Sequence, residues 1–243
     1  MTSLGAGKAA ENIFDRMANL LLRLSPGAVI ERATLPAQVA VDRDGLLAER
    51  LAGDADGQRI VRLWRNRNCM VVPRGFAAKP AFAVALAAAS MPVVFRCSGG
   101  RAVTHGPGVA NLSIIARGGP VTGDPGEAVF GELTGLVSRL LASLGLPTET
   151  GYVEGAHCDG RFNVTARGRK IAGTAVHVMQ RNGERVTVAH ASIAMTPAPA
   201  ALREIVRFET ALGLEADFHL EAHTCIMDEL VYASAEKDEV RAA

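Results

Sequence analysis

Lysine is scarce in this chain. Of 26 basic residues in a total of 243, only Lys8, Lys79, Lys170 and Lys237 are lysines. Arginine keeps its charge at any relevant pH, whereas lysine tunes its pKa and acts as a point donor, so a lysine inside a well-marked motif merits attention. Cysteine is equally sparse. Cys69, Cys97, Cys158 and Cys225 lie far apart with no CxxC pair, which excludes the usual zinc spacings and predicts no metal site. There is no excess charge of either sign: the basic residues face 25 acidic ones, for a net charge of +1. Nucleic-acid binding through bulk positive charge is thereby excluded. Long apolar runs are missing too. The longest, residues 81–95, is interrupted by Ser90 and Pro92 and is too short to span a bilayer. The opening MTSLGAGKAAENIFDR has no apolar signal core. The expectation is a cytoplasmic protein with reduced thiols and no membrane partner. Neither a GxxxxGK[ST] phosphate loop nor a G-x-G-x-x-G fingerprint is present.

What is present suits a packed domain. Hydrophobic residues make up 49% and charged residues 21%, enough apolar material for a sizeable core. Ile13, Met17, Leu20, Leu21 and Leu24 fall on one helical stripe that Ser25-Pro26-Gly27 stops. Residues 28–34 read as a short strand, 37–52 as a helix, 59–64 and 69–72 as strands, and 79–89 as an Ala-rich helix. A buried strand over 92–96, an apolar stretch over 111–117 and a helix over 127–144 capped by Gly145 follow. The period then changes to two. Residues 162–166, 170–179 and 185–195 are rich in Val, Thr and Ile, with turns at Arg167-Gly168 and Asn182-Gly183. Helices over 199–212 and about 221–231 close the chain. Strands and helices mix without a regular βαβ rhythm, which predicts an α+β fold with a large sheet.

Two stretches concentrate the unusual chemistry. Arg96-Cys97-Ser98-Gly99-Gly100-Arg101-Ala102-Val103-Thr104-His105 joins two strand-like segments. Its paired glycines let the backbone approach a ligand and offer N–H groups to an anion, and Arg96 and Arg101 add charge-assisted donors. The plainer reading is a glycine-rich hairpin with solvated arginines. In Gly168-Arg169-Lys170-Ile171-Ala172-Gly173-Thr174-Ala175 a turn sends a lysine into a strand lined by small residues. Lys170 can donate there to a carbonyl or phosphate oxygen, and the plainer reading is an edge lysine on a hairpin.

Taken together, FRCSGGRAVTHGPGVANLSII followed by GRFNVTARGRKIAGTA resembles the lipoate–protein ligase and octanoyltransferase family, whose catalytic domain is shared with biotin ligases. The segment ending at Trp64 and the strand Val188-Ala189-His190-Ala191-Ser192-Ile193 extend the likeness to roughly residues 37–212. The resemblance implies a single α+β domain with a large mixed, mainly antiparallel sheet flanked by helices, similar to class II synthetase-like biotin and lipoyl ligases. Residues 1–35 would be an N-terminal helix and strand packing on the core. Residues 36–243 would form the catalytic domain, with no separate C-terminal accessory domain. The resemblance further implies that Arg96, Ser98, Gly99, Gly100, Arg101 and Ala102 form the loop beside the acyl chain and, in ligases, the adenylate. His105 would close that loop. Lys170 would contact the acyl carbonyl or activating phosphate, and Gly173 and Ala175 would line the acyl tunnel. The reaction would place a lipoyl or octanoyl group on the lysine of a lipoyl carrier domain, either the glycine-cleavage H protein or a 2-oxoacid dehydrogenase E2 domain.

Members of the family activate the acyl group through ATP and Mg²⁺ or through a cysteine thioester. Gly155-Ala156-His157-Cys158-Asp159-Gly160 resembles the C-P-G-S-Y-D of the amidotransferase branch, which makes Cys158 the candidate nucleophile. The opposing reading is a small buried residue, as Cys69 and Cys225 are expected to be. His105 or His190 is a candidate base. Asn163 stands where the family usually has Asp, which disfavours a cation near phosphates. The short C-terminus disfavours a ligase as well. Val176 replaces a common Gln, and Ala191 replaces a Gly whose loss is expected to narrow the pocket. Thioester transfer needing no cofactor is therefore favoured, with ATP-dependent ligation as the alternative. A non-catalytic acyl- or lipoyl-domain-binding protein is the second alternative.

Overall fold

The computed structural model describes residues 3–32, 35–54, 57–118, 125–181, 183–215 and 218–242. Helix α1 (Ser3–Leu24) turns Ile13, Phe14, Met17, Ala18 and Leu21 inward at helical spacing. The chain then forms β1 (Val29–Glu31), crosses over through α2 (Ala37–Gly53) and returns as β2 (Arg59–Trp64), parallel to β1. From β2 the large sheet continues antiparallel through β6 (Val109–Arg117), β10 (Glu184–Ala194), β9 (Arg169–Arg181), β8 (Val164–Ala166) and β7 (Glu149–Thr150). A smaller sheet has β3 (Cys69–Pro73) at its centre. It is flanked by β4 (Val93–Arg96) in parallel and β5 (Val103–His105) in antiparallel register. Helices α3 (Phe82–Ala88), α4 (Pro125–Ser143), α5 (Pro199–Ala211) and α6 (Ile226–Ala242), with 3₁₀ turns at Arg74–Ala78 and Leu220–Ala222, complete the described elements. The expected mixed, mainly antiparallel α+β architecture is what forms.

Period-two alternation gives the large sheet two different faces. Leu112, Ile114, Ala172, Ala189, Ala191 and Ile193 point to one side. They pack with the buried stripe of α1 and with Leu133, Val137, Leu140 and Leu141 of α4 in one apolar core. Their neighbours Trp64, Asn111, Ser113, Gly173, Ala175, His190 and Ser192 point to the other side, because cross-strand partners share a face. On that second face the polar and small residues lie toward the glycine-rich loop, while Ile115, Val186 and Val188 pack against Ala48, Leu51 and Ala52 of α2. Ala191 therefore does not narrow a pocket. It is fully buried in the apolar core, and Val176 packs against the same core.

A buried ion network ties α2 to the sheet. The fully buried Arg62 donates to Asp44 Oδ1 at 2.7 Å, to Glu31 Oε2 at 2.6 Å and to Ala40 O at 3.1 Å. Ser113 Oγ donates to Asp44 Oδ2 at 2.6 Å, and Trp64 Nε1 donates to Ser113 Oγ at 3.1 Å. Burial pushes the Asp44 carboxyl up, against the opposing pull of Arg62 and Ser113.

Several expected boundaries shift. The strand expected over 28–34 is confined to Val29–Glu31, and residues 33 and 34 lie outside the described residues. The helix expected over 79–89 is α3 alone, preceded by a 3₁₀ turn, Arg74–Ala78. The last helix starts at Ile226 rather than near 221, because Thr224 N donates to Lys170 O at 2.9 Å and His223 bridges to Lys170. Those strand-like contacts delay the helix by several residues. Strands β5 and β7 carry too few residues to show a period. The Arg167-Gly168 hairpin forms as expected, with φ of 50° and 72°, which a two-residue type I′ turn requires. Asn182 lies outside the described residues, while Arg181 and Glu184 on either side of the second turn are paired. Gly145, at φ 87°, closes α4 as a C-cap.

The network sets a stability test. Arg62→Met leaves two carboxylates without their shared cation, and breaking a buried pair costs about 3–5 kcal/mol. The urea unfolding midpoint is expected to fall accordingly. An unchanged midpoint would show that the network contributes little.

Candidate functional site

The glycine-rich loop is shaped around one guanidinium. Arg96, at the end of β4, donates Nε to Ser98 Oγ at 3.0 Å and Nη1 to Val71 O at 2.9 Å. Its Nη2 donates to Gly99 O at 2.8 Å and Arg101 O at 2.6 Å. Burial pushes Arg96 down to about 10, with Cys158 and Glu209 pulling it back up, so it stays charged near neutrality. Gly100, at φ 95°, is where the loop turns. A Cβ there would lie 3.4 Å from Arg96 Nη2 and 3.7 Å from Cys158 Sγ. The Cys158 thiol thus lies against a stretch of bare backbone.

The segment carrying Cys158 is pinned by its neighbours. Asp159 Oδ1 accepts from Val153 N, Gly160 N and Asn163 Nδ2, each at 2.8 Å. Asn163 is thereby a buried support of this loop, using an amide donor that Asp would lack. His157 N donates to His223 Nε2 at 3.1 Å. Cys158 is exposed, with φ at 50°, an uncommon backbone state for a residue other than glycine. The reading of Cys158 as a small buried residue therefore does not describe it. That reading fits Cys69 and Cys225, both buried, whose thiols burial pushes up to about 12.

Lys170, at the start of β9, reaches the same segment. Its Nζ donates to His157 O at 2.6 Å and Cys158 O at 3.0 Å. Burial pushes its pKa down, while Cys158 and Asp159 pull it up. Gly173 makes room for it, since a Cβ there would sit 3.3 Å from Lys170 Cε and 3.5 Å from Nζ.

Two cavities flank the loop. The first, about 360 Å³, is lined by Arg96, Gly99, Gly100, Arg101, Ala102, Cys158, Lys170, Gly173, Ala175 and His190 among others. The second, about 610 Å³, takes Ser98, His105, Trp64 and Asn111, and shares Arg96, Val103 and His190 with the first. The sequence-predicted set therefore comes together, with Ser98 and His105 turned toward the second cavity. Among the described residues, Asn111 Nδ2 is buried there with no hydrogen-bond partner.

The two candidate histidines each meet a serine hydroxyl. Ser98 Oγ, which accepts from Arg96, is hydrogen-bonded to His190 Nε2 at 3.2 Å. Ser192 Oγ donates to Asn111 Oδ1 at 3.0 Å, so His105 donates its Nε2 proton to Ser192 at 3.2 Å. Burial, and then His190 and Arg96, push His105 down to about 3. Burial, and then Arg96 and His177, do the same to His190. Bases that weak have little capacity to take a thiol proton near neutrality.

Sequence reasoning passed over Glu209. It is fully buried on α5 and accepts from Arg101, Ala102 N and His157 Nε2. Ile205, Glu209 and Leu212 stand at i, i+4 and i+7, so a carboxylate on the apolar stripe was the available signal. His223 and His177 had no such mark.

This architecture is that of the lipoate-protein ligase fold. It overlays on a crystal structure of lipoate-protein ligase A bound with ATP at TM-score 0.55 and 18% identity, covering 83% of this chain and 76% of that one. The model of the lipoyl protein ligase A/B catalytic domain matches residues 37–217, and the chain belongs to that family. An uncharacterized protein of Cupriavidus necator is 32% identical over 174 residues, covering 65% of this chain and 69% of the relative. An octanoyl-[GcvH]:protein N-octanoyltransferase of Kyrpidia tusciae is 34% identical over 163 residues, covering 64% of this chain and 51% of the relative. The chain thus spans about half the length of that second relative. Among the described residues, no helix is long and apolar enough to cross a membrane.

The imidazoles set a pH dependence. His105 and His190 lie below their ordinary value of 6.5 in the folded state, so the unfolded chain takes up protons first. Their contribution to stability is complete above about pH 6.5 and is lost as pH falls toward about 3, with a slope of at most about 1.4 kcal/mol per pH unit for each group. Tm measured from pH 7 to 4.5 is expected to fall less steeply in His190→Gln than in the wild type. Parallel curves would refute this.

Proposed function

We propose that this protein transfers an octanoyl or lipoyl group to the acceptor lysine of a lipoyl carrier domain through a thioester on Cys158. The observation that carries the reading is the exposed Cys158 thiol, set against the Gly100 backbone with the Lys170 ammonium and Arg96 guanidinium beside it. The name of the Kyrpidia relative supports octanoyl transfer, with the glycine-cleavage H protein as donor carrier. An E2 lipoyl domain is the further candidate acceptor.

The chemistry follows from the placement. The Cys158 sulfur attacks the acyl carbonyl carbon. A C–S bond forms, the bond to the donor carrier's lysine nitrogen breaks, and the thiol proton ends on that nitrogen, which leaves as a neutral amine. The acceptor lysine then attacks the thioester as a neutral amine, the new amide C–N bond forms as the C–S bond breaks, and the proton lost from that nitrogen restores the thiol. Negative charge develops on the acyl oxygen in both steps. Lys170 is the donor for that oxygen, within a cleft where the Arg96 charge also favours an oxyanion. The acyl chain lies along Gly173 and Ala175, where missing or small side chains leave space. Arg96, Ser98 and His190 hold the loop in shape rather than exchange protons.

Adenylate formation is the competing reading, and the cations facing the cleft suit it less well. Arg96 is committed to Ser98 and three carbonyls, Arg101 to Glu209, and Lys170 to the His157 and Cys158 carbonyls. A neutral acyl carbonyl asks less of this set than a triphosphate.

Intact-mass analysis with an octanoylated carrier and no ATP tests the reading. An acyl adduct is expected in the wild type and not in Cys158→Ala. Lys170→Ala is expected to slow transfer about 10²–10³-fold, with Tm nearly unchanged. Lys170→Arg should not rescue, because a planar fork cannot replace a point donor. Modification of the acceptor by free lipoate and ATP with fully active Cys158→Ser would overturn the thioester route. Acceptor binding without modification under either donor condition would favour a non-catalytic binding protein.

A further inference from the structure

Resting on the thioester reading, we infer that Glu209 is a positioning residue that holds the two walls of the cleft in register across Cys158. One carboxylate grips both. Oε2 accepts from Arg101 Nε at 3.0 Å and Nη2 at 2.8 Å, and from His157 Nε2 at 3.0 Å. Oε1 accepts from Ala102 N at 2.8 Å. Arg101 and Ala102 follow Gly100 directly on one wall, and His157 precedes Cys158 directly on the other. The carboxylate is fully buried. Burial on its own would raise its pKa, but the hydrogen bonds from His157 and Arg101 outweigh it and hold Glu209 below the usual carboxylate range.

His157 is thus held at three points. Its ring donates to Glu209, its N–H donates to His223, and its carbonyl accepts from Lys170. The Phe218 ring packs edge-on against it with centroids 5.0 Å apart. Losing the bond to Glu209 frees the His157 ring from the contact that ties the Cys158 segment to the Gly100 loop through α5. An ion pair serving stability alone would need only Arg101. The same carboxylate also takes the imidazole and the main-chain N–H, and those bonds fix the distance between the thiol and the loop.

A glutamine at 209 keeps the shape but removes the charge and puts an NH₂ where one oxygen was, so either Ala102 N or the Arg101 and His157 side chains meet a donor in place of an acceptor. A displacement of about 1 Å at a reacting centre can cost on the order of 10²-fold in rate. In Glu209→Gln, single-turnover acylation of Cys158 by an octanoylated carrier is expected to fall about 10–100-fold, with KM for the carrier within about threefold of wild type. Alkylation of the exposed thiol by iodoacetamide, which needs no aligned cleft, is expected to stay within about twofold. His157→Gln leaves the Arg101–Glu209 pair in place and is expected to show the same split, which keeps the test valid if Glu209→Gln does not fold. The double variant should be no slower than the slower single one. Acylation at the wild-type rate in the folded variants, or a raised KM with unchanged kcat, would overturn the role of Glu209 and leave the thioester reading standing. Absence of a Cys158 adduct in the wild type itself would overturn that reading, and this role with it.

Discussion

The Arg96 guanidinium is the centre about which the site is organised. It is buried without a carboxylate of its own, and four of its contacts are the oxygens of Val71, Ser98, Gly99 and Arg101. A cation bonded to neutral dipoles keeps much of its positive field, with the Glu209 carboxylate acting on it from farther off. Here that field falls on the cavity holding Cys158, because Arg96 lines it. The glycine-rich loop takes its shape from those contacts, and Gly100 supplies the positive φ at which it turns beside the thiol. Desolvation makes such a charge costly, and the hydrogen bonds to carbonyls offset that cost. A fold that supplies so many fixed acceptors to one guanidinium is one in which an anionic reaction centre finds its counter-charge already in place.

The large sheet makes this possible by separating its duties. One face is apolar and continuous with α1 and α4, and it carries the larger core of the domain. The other is mixed, apolar where Ile115, Val186 and Val188 pack on α2 and polar where Arg62, Asp44, Ser113 and Trp64 form a buried network beside the second cavity. Side chains that alternate along β6, β9 and β10 can meet both demands without conflict, since changing one face leaves the other untouched. His105 and His190 on that face each bond a serine hydroxyl, so they act as hydrogen-bonding spacers between strands and loop.

Much of this was legible in the sequence because the site is built from short contiguous strings. Arg96 to Ala102 and Lys170 to Ala175 each form one local structure, and their placement opposite each other follows from the fold of the family. The strands β9 and β10 announced themselves by β-branched residues and a turn between them. What stayed hidden depends on long-range geometry. Glu209 looks like any glutamate of an amphipathic helix until α5 is laid against the loop, and its position on the apolar stripe is the one local hint. The delayed start of α6 follows from a backbone bond to Lys170 some fifty residues earlier, for which no pattern in the tail prepares. Ala191 was misplaced because a motif position was read as a pocket wall without asking which face its strand turns to the cavity.

The backbone at Cys158 sets stability and chemistry against each other. A left-handed conformation suits Gly, and to a lesser extent Asn or Asp, while cysteine holds it at a cost on the order of 1 kcal/mol. A chain drifting under selection for foldability alone would therefore exchange the thiol for a glycine and gain by it. Selection for thermal tolerance with no demand for turnover should find that exchange early, and its product would be a more robust protein with an empty place where the sulfur had been.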